Sequence, residues 1–396
     1  MISRQVALWL LALVVVSTLA LSYRASLDDG PASLAESVDT TTSTTTSTTT
    51  TSTTSTTTST TTTTIAPKEC LAPWPIEHKV GQLIMALALP SSLDSAADLA
   101  ETGQLGAVGL LGEPGPALPD QLAEIQKRSW LPVTIAVDEE GGNVQRLVGL
   151  LNRLPSARSV ADLGDPTFAE FNGVVHGSAM FDLGITMDLA PVLDVGGGPG
   201  IGSRSYSSDP AIVSDFGLAF ASGLVESGVT PVVKHFPGHG QASADSHRSL
   251  PITPSIEDLR QRDLLPFLDA IEIPGVALMV GHLNVPGLTD GLPATLSPAA
   301  IDGLLRTELG FDGLVMTDAL NMGAIRNGWT TPEAAVLAVA AGADVVMVGS
   351  VSEVAATHGA LLSALEEGTI SLERVDESVL RVLASKSIDP CELTLA

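Results

Sequence analysis

Eight short apolar runs, each followed by a stretch with helical spacing, constrain this chain more than any other feature of its sequence. They are Gln82–Leu89, Ala107–Leu111, Val133–Val137, Thr186–Leu193, Pro231–Val233, Ala277–Val280, Leu314–Met316 and Val345–Val348. Each is almost continuously apolar rather than alternating, the pattern of strands covered on both faces. The segments between them carry helix signals. Ala211–Ser227 stops before Gly228, Ser297 is placed to cap Pro298–Leu309 before Gly310, and Pro332–Ala341 stops before Gly342. Strands that alternate with helices build a parallel sheet under helices. An open doubly wound sheet competes, but eight evenly spaced units favour closure into a single (β/α)₈ TIM-type barrel. The chain ends soon after the eighth unit, so no second domain is expected.

Three regions are expected: a leader over residues 1–23, a linker over 24–69 and the barrel over 70–396. The leader has Arg4, then no charge from Gln5 to Tyr23, with an apolar core Val6–Val16. It reads as a secretion signal or a single membrane anchor. Ala20-Leu21-Ser22 resembles a small-x-small cleavage site, while Arg24 suits an uncleaved anchor. Thr40–Thr64 contains only serine and threonine, which cannot bury enough apolar surface to order itself. It reads as a stalk or spacer reaching roughly 80 Å when stretched. Both features point outside the cytoplasm. The only cysteines, Cys70 and Cys391, bracket the folded part, and a bond between them would tie its ends in an oxidising compartment. Two free thiols are the alternative. A net charge of −26, from 19 basic and 45 acidic residues, disfavours nucleic acid or anionic lipid as a partner.

In a barrel, reactive groups gather where strands end. Val133–Val137 runs into Asp138-Glu139-Glu140-Gly141-Gly142, with Arg146 beyond, and Thr186–Leu193 into Asp194 and then Arg204. The fifth run delivers Lys234-His235-Phe236-Pro237-Gly238-His239-Gly240 and Asp245-Ser246-His247, three of the chain's seven histidines. The sixth ends in His282 and Asn284, the seventh in Thr317-Asp318. Five polar strand ends predict a polar cavity at one face. No Gly-x-Ser-x-Gly elbow is present, so the candidate nucleophile is a carboxylate. Asp318 could attack an anomeric carbon and form a glycosyl ester. Histidine, whose reference pKa is about 6.5, suits both giving and taking a proton near neutrality, so His247 could donate and later accept the proton, oriented by Asp245. Lys234 and Arg146 suit hydrogen bonds to sugar hydroxyls or an acyl carbonyl. Glu139 and Glu140 read equally as acids at a helix start. His235, His239, Asp245 and His247 are also metal-ligand types, although their spacing matches no compact zinc pattern.

The run Lys-His-Phe-Pro-Gly-His-Gly with the following Asp-Ser-His resembles the signature of glycoside hydrolase family three, in its single-domain β-N-acetylglucosaminidase branch. Val137–Leu147 is similar to the family's Asp-x-Glu-Gly-Gly-Arg-Val-x-Arg segment. Ala190–Val195, Arg204-Ser205-Tyr206 with Asp209-Pro210, and Val315–Met322 also resemble family motifs. The resemblance covers roughly residues 75–350. It implies Asp318 as nucleophile, His247 as acid/base held by Asp245, and Asp138, Arg146, Arg204, Lys234 and His235 as holders of a non-reducing N-acetylglucosamine. His239 then reads as a brace for its loop. Asn143 stands where arginine is common, and Ala319 where an acid is common. The expectation is a retaining exo-β-N-acetylglucosaminidase acting on cell-wall fragments or chitooligosaccharides, without metal or organic cofactor. A β-glucosidase, a phosphorolytic enzyme and a non-catalytic wall-binding protein are the alternatives.

Overall fold

The computed structural model describes residues 67–393; the leader and most of the linker lie outside them. In chain order the strands are β1 Ile84–Ala88, β2 Ala107–Leu110, β3 Thr134–Val137, β4 Glu139–Gly141, β5 Val144–Gln145, β6 Met187–Asp188, β7 Thr230–Phe236, β8 Ala277–Val280, β9 Val315–Thr317 and β10 Val346–Val348. Eight of them form one parallel sheet in the order β10-β1-β2-β3-β6-β7-β8-β9. A bridge between Met316 and Val345 joins its two ends, with Thr317 N donating to Val345 O at 3.0 Å. The result is a (β/α)₈ barrel. Among the described residues no helix is long and apolar enough to cross a membrane.

Side chains alternate across each strand, and the two sets pack differently. Ile84, Val108, Ile135 and Val346 face outward into the layer beneath the helices. Met85, Ala107, Ala136, Met187, Met279, Met316 and Met347 fill the interior, small and flexible side chains together closing the space.

The expected strands differ from the observed ones where backbone chemistry intervenes. Gln82 closes the helix Ile76–Gln82 instead of opening β1. The fourth run shrinks to Met187–Asp188, with a lone bridge from Val192 to Lys234 beyond, because Pro191 cannot donate to the ladder. The fifth lengthens to Thr230–Phe236 and takes in Lys234 and His235. The helix expected over Ala211–Ser227 is Pro210–Glu226, capped by Asp209, which accepts from Ala211 N. Ala299–Glu308 is wound in the looser π form, and Ser297 offers it a carbonyl oxygen rather than a hydroxyl cap. Thr331–Ala340 opens on a capping box between Thr330 and Glu333.

The strand ends are held at both faces. Beneath the barrel, Lys386 Nζ donates to Gln82 Oε1 at 2.8 Å and to Gly106 O at 3.0 Å. Lys79 pairs with Asp376 at 2.8 Å, both side chains almost fully buried. Cys70 is bonded to Cys391. At the opposite face β4 and β5 make an antiparallel hairpin directly after β3. No helix starts there, so neither Glu139 nor Glu140 is a helix-start acid. Gly141 turns the chain at φ 88°, and a Cβ there would lie 2.2 Å from Pro155 O. Glu139 is fully buried. It accepts from the Arg146 and Leu147 N–H groups at 2.6 Å each and from Gln145 Nε2 and His176 Nε2 at 2.8 Å each. Below it, Asp188 Oδ1 accepts the Glu139 N–H at 3.0 Å, while Oδ2 has no partner.

Two outcomes follow from these anchors. Cys70→Ser with Cys391→Ser should lower unfolding stability by about 2–4 kcal/mol, because the bond closes a very long loop. Thermal unfolding with and without reductant measures this, and an unchanged midpoint would assign the tie to the ion pairs instead. Burial pushes the Asp188 carboxyl well above its ordinary range, and the nearby Glu139 charge adds to that, against the Glu139 N–H bond. The folded state therefore holds this proton more tightly than the unfolded chain, so the contribution of this carboxyl to stability is present below about pH 4 and is lost as pH rises through the raised value. Asp188→Asn, which cannot ionise, should gain stability relative to wild type across that window in denaturant titrations. A difference that stays constant with pH would refute the assignment.

Candidate active site

The polar strand ends enclose a cavity of about 330 Å³ at the C-terminal mouth of the barrel. Its floor is apolar, made by Leu87, Leu189, Met279 and Met347 from the top of the interior packing. Every proposed catalytic or sugar-holding residue lines it: Asp138, Arg146, Arg204, Lys234, His235, Asp245, His247 and Asp318. Glu140 lines it as well, a residue that the sequence reading did not select.

Consecutive strand residues normally point to opposite faces. Lys234 and His235 nevertheless both reach the cavity; the peptide between them is cis, and the register of β7 against β8 shifts between Val233 and Phe236. Lys234 Nζ sits 2.8 Å from Asp138 Oδ1 and 2.6 Å from Glu140 Oε1. Arg204 grips Glu140 with two bonds, Nε to Oε2 at 2.7 Å and Nη2 to Oε1 at 2.8 Å. Arg146 Nη2 lies 3.6 Å from Asp138 Oδ2. Burial alone would raise the Glu140 carboxyl, but Lys234 and Arg204 outweigh it and hold the group well below the usual carboxylate range. Burial likewise disfavours charge on Lys234, yet Asp138 and Glu140 leave its ammonium above the ordinary lysine value.

His235 is oriented from behind by Asp194, whose Oδ2 lies 2.7 Å from Nδ1. The other oxygen of Asp194 accepts the backbone N–H groups of His235 at 3.2 Å and His239 at 2.6 Å. Asp194 is thus a fully buried support and does not line the cavity. The same correction applies to three other strand-end groups. His282 is fully buried, with Nδ1 2.8 Å from Thr295 Oγ1 and Nε2 donating to Ala319 O at 3.0 Å. Thr317 Oγ1 accepts from Met347 N at 3.0 Å, and the Asn284 side chain accepts from Thr289. These groups brace the loops that carry the site. Asn143 sits exposed in the hairpin turn and does not line the cavity, whereas Ala319 does.

Asp318 follows β9 directly. Its Oδ1 accepts the Ala319 N–H at 2.7 Å. Burial would raise its pKa, but the His282 and His235 imidazoles, that N–H group and Lys234 bring it below the ordinary aspartate value. Across the cavity, His247 Nδ1 lies 2.8 Å from Asp245 Oδ1, which also accepts the His247 N–H at 3.0 Å. Partial burial acts upward on Asp245, and its bonds to His247 bring it net below the ordinary value. The imidazole itself is largely exposed, at 64 %.

The loop bearing this pair is tied down twice. His239 Nε2 lies 3.1 Å from Ser246 Oγ, so His239 does brace the loop. Gly323 N and Ala324 N, just past Asp318, donate to His247 O at 3.1 Å and Ser246 O at 3.0 Å. A Cβ on Gly323 would fall 2.5 Å from Arg248 O. Among the described residues, no group of three His, Cys, Asp or Glu is arranged to hold a metal ion.

Residues 75–385 match the sequence profile of the glycosyl hydrolase family 3 N terminal domain. A Mycobacterium tuberculosis protein named beta-hexosaminidase LpqI is 43 % identical over 270 residues, 66 % of this chain and 69 % of that protein. The solved structure of M. tuberculosis LpqI superposes with a TM-score of 0.77 at 38 % identity, covering 81 % of this chain and 96 % of that one. A family 3 β-N-acetylglucosaminidase from Paenibacillus gives a TM-score of 0.76 at 38 % identity, covering 81 % of this chain and 64 % of that one. With the match spanning most of the described barrel and its mouth, the chain belongs to glycosyl hydrolase family 3.

Proposed function

We propose that this protein is an exported, retaining exo-β-N-acetylglucosaminidase that removes non-reducing N-acetylglucosamine from cell-wall fragments or chitooligosaccharides. One observation carries the reading. A carboxylate held below its ordinary pKa and a histidine–aspartate pair line one cavity, at positions on adjoining, mutually bonded loops. The names of the relatives support the same substrate class. The cavity volume suits one sugar unit, as removal from a chain end requires.

In the first step an Asp318 oxygen attacks the anomeric carbon, and the bond to the aglycone oxygen breaks as His247 Nε2 protonates it. Asp245 on Nδ1 fixes the imidazole so that Nε2 is the working nitrogen. In the second step a water loses its proton to His247 Nε2 and its oxygen displaces Asp318 from the anomeric carbon. Retention results from the two inversions. Asp138, Arg146, Arg204, Lys234 and His235 hold the sugar hydroxyls at the far side of the cavity. A purely wall-binding role is disfavoured, since a decayed site should have lost Asp318, Asp245 or His247.

Export rests on the apolar leader and on the Cys70–Cys391 bond, which persists in oxidising compartments. Cleavage of the leader and retention as an anchor both fit that assignment, and turnover of wall peptidoglycan is the process it suggests.

Wild-type protein should hydrolyse an aryl β-N-acetylglucosaminide in phosphate-free buffer and prefer it to the aryl β-glucoside. Asp318→Ala should lose at least about 10³-fold in kcat, as removal of a covalent nucleophile does. Full activity in that variant, or none in wild type on any aryl glycoside, would sink the mechanism. His247→Ala should lose about 10²–10⁴-fold on poor leaving groups and much less on activated ones, which need little protonation. Equal losses on both would make His247 structural.

A further inference from the structure

Glu140 is the one charged group in the cavity that the mechanism above leaves without a task. Its side chain is only 3 % exposed, and both of its oxygens are engaged. Arg204 binds it through two nitrogens, and Lys234 reaches it at 2.6 Å. Glu140 therefore sits between two cations that would otherwise face the cavity together. A lysine and an arginine converging in a partly dry cleft make an anion site, of the kind that takes phosphate or carboxylate. Asp138 does not prevent this alone, because it is shared between Lys234 and Arg146. With Glu140 ionised, the Arg204 charge is offset within the protein. One of its two Nη1 N–H groups is taken by Gly200 O at 2.9 Å, which leaves the other for a neutral hydroxyl. Lys234 keeps one N–H beyond those directed at Asp138 and Glu140, enough for an uncharged hydroxyl.

Resting on the proposed glycosidase reading, we propose that Glu140 is a specificity-determining residue, a built-in counter-anion that admits neutral sugars and turns away anionic ones. The excluded class comprises sugars bearing a phosphate or carboxylate on the ring end held by Lys234 and Arg204, and free inorganic phosphate. The carboxylate works through charge, and its effect on the substrate passes through Lys234 and Arg204 rather than through direct contact.

The experiment compares full-length wild type, Glu140→Gln and Glu140→Asp, titrated with inorganic phosphate at constant ionic strength. Thermal unfolding and the apparent KM for an aryl β-N-acetylglucosaminide are read in parallel. Glu140→Gln should bind phosphate, raising its unfolding midpoint by roughly 2 °C or more and its apparent KM about tenfold, with kcat unchanged by phosphate. Wild type and Glu140→Asp should respond to phosphate in neither readout. Glu140→Gln behaving like wild type would overturn the proposal. So would a Glu140→Asp variant that gains phosphate binding, since shape rather than charge would then be at work. If Glu140→Gln does not fold, wild type decides the matter. Inorganic phosphate that raises its unfolding midpoint or competes with the aryl β-N-acetylglucosaminide would overturn the proposal, and indifference to phosphate in both readouts would support it. Inactivity of wild type on every aryl glycoside would instead sink the glycosidase reading, while the phosphate arm of the unfolding series would still report on Glu140.

Discussion

A carboxylate shut away from water is tolerated only when its lone pairs are filled by donors, and the substrate end of this cavity depends on one that meets the requirement. Glu139 has no solvent exposure, and four N–H groups converge on its two oxygens. Two of the donors belong to the backbone at the far end of the hairpin and one to its second strand. Folding the hairpin and satisfying the acid are therefore the same event. Once the hairpin closes over Glu139, the residues on either side of it, Asp138 and Glu140, and Arg146 beyond, line the cavity mouth.

Asp194 repeats the solution on the next wall. One buried acid takes the His235 imidazole on one oxygen and two backbone N–H groups on the other. Burial is costly for both acids, and in each case the donors that offset it come from segments the site needs in place. The support beneath the cavity is thus ionic and hydrogen-bonded, while the floor above the barrel interior stays apolar. Such an arrangement suits a sugar, whose ring presents C–H faces and hydroxyl edges to the same pocket.

Much of this was legible in the sequence, and for a physical reason. Parallel barrel strands are covered on both faces, so they appear as unbroken apolar runs, and the groups that end them stand out as polar against that background. Asp318, Asp245, His247, Lys234 and His235 were found in this way, and all line one cavity. A strand end fixes where a residue sits but not where its side chain turns. For that reason Asp194, His282, Asn284 and Thr317 were expected in the cavity and instead brace it from behind. Glu139 and Glu140 show the same limit in two adjacent letters. Read as a helix start they are interchangeable, whereas in a hairpin they face opposite ways, one into the scaffold and the other into the cavity. The Asp-Glu-Glu-Gly-Gly run with Val144 and Gln145 beyond carried a turn signal that pointed to this alternation. The interruption of the fourth strand was likewise written in Pro191, whose missing N–H ends regular pairing.

The two bonds from Gly323 N and Ala324 N to the loop at Ser246 and His247 involve main-chain atoms only. Backbone hydrogen bonds are indifferent to side-chain identity, except that Gly323 has no room for a Cβ. In the proposed mechanism these bonds set the separation of proton donor and nucleophile. Residues elsewhere on that loop are then free to vary in size and charge, so that the lineage can adapt the rim to different aglycones while the reacting groups keep their spacing.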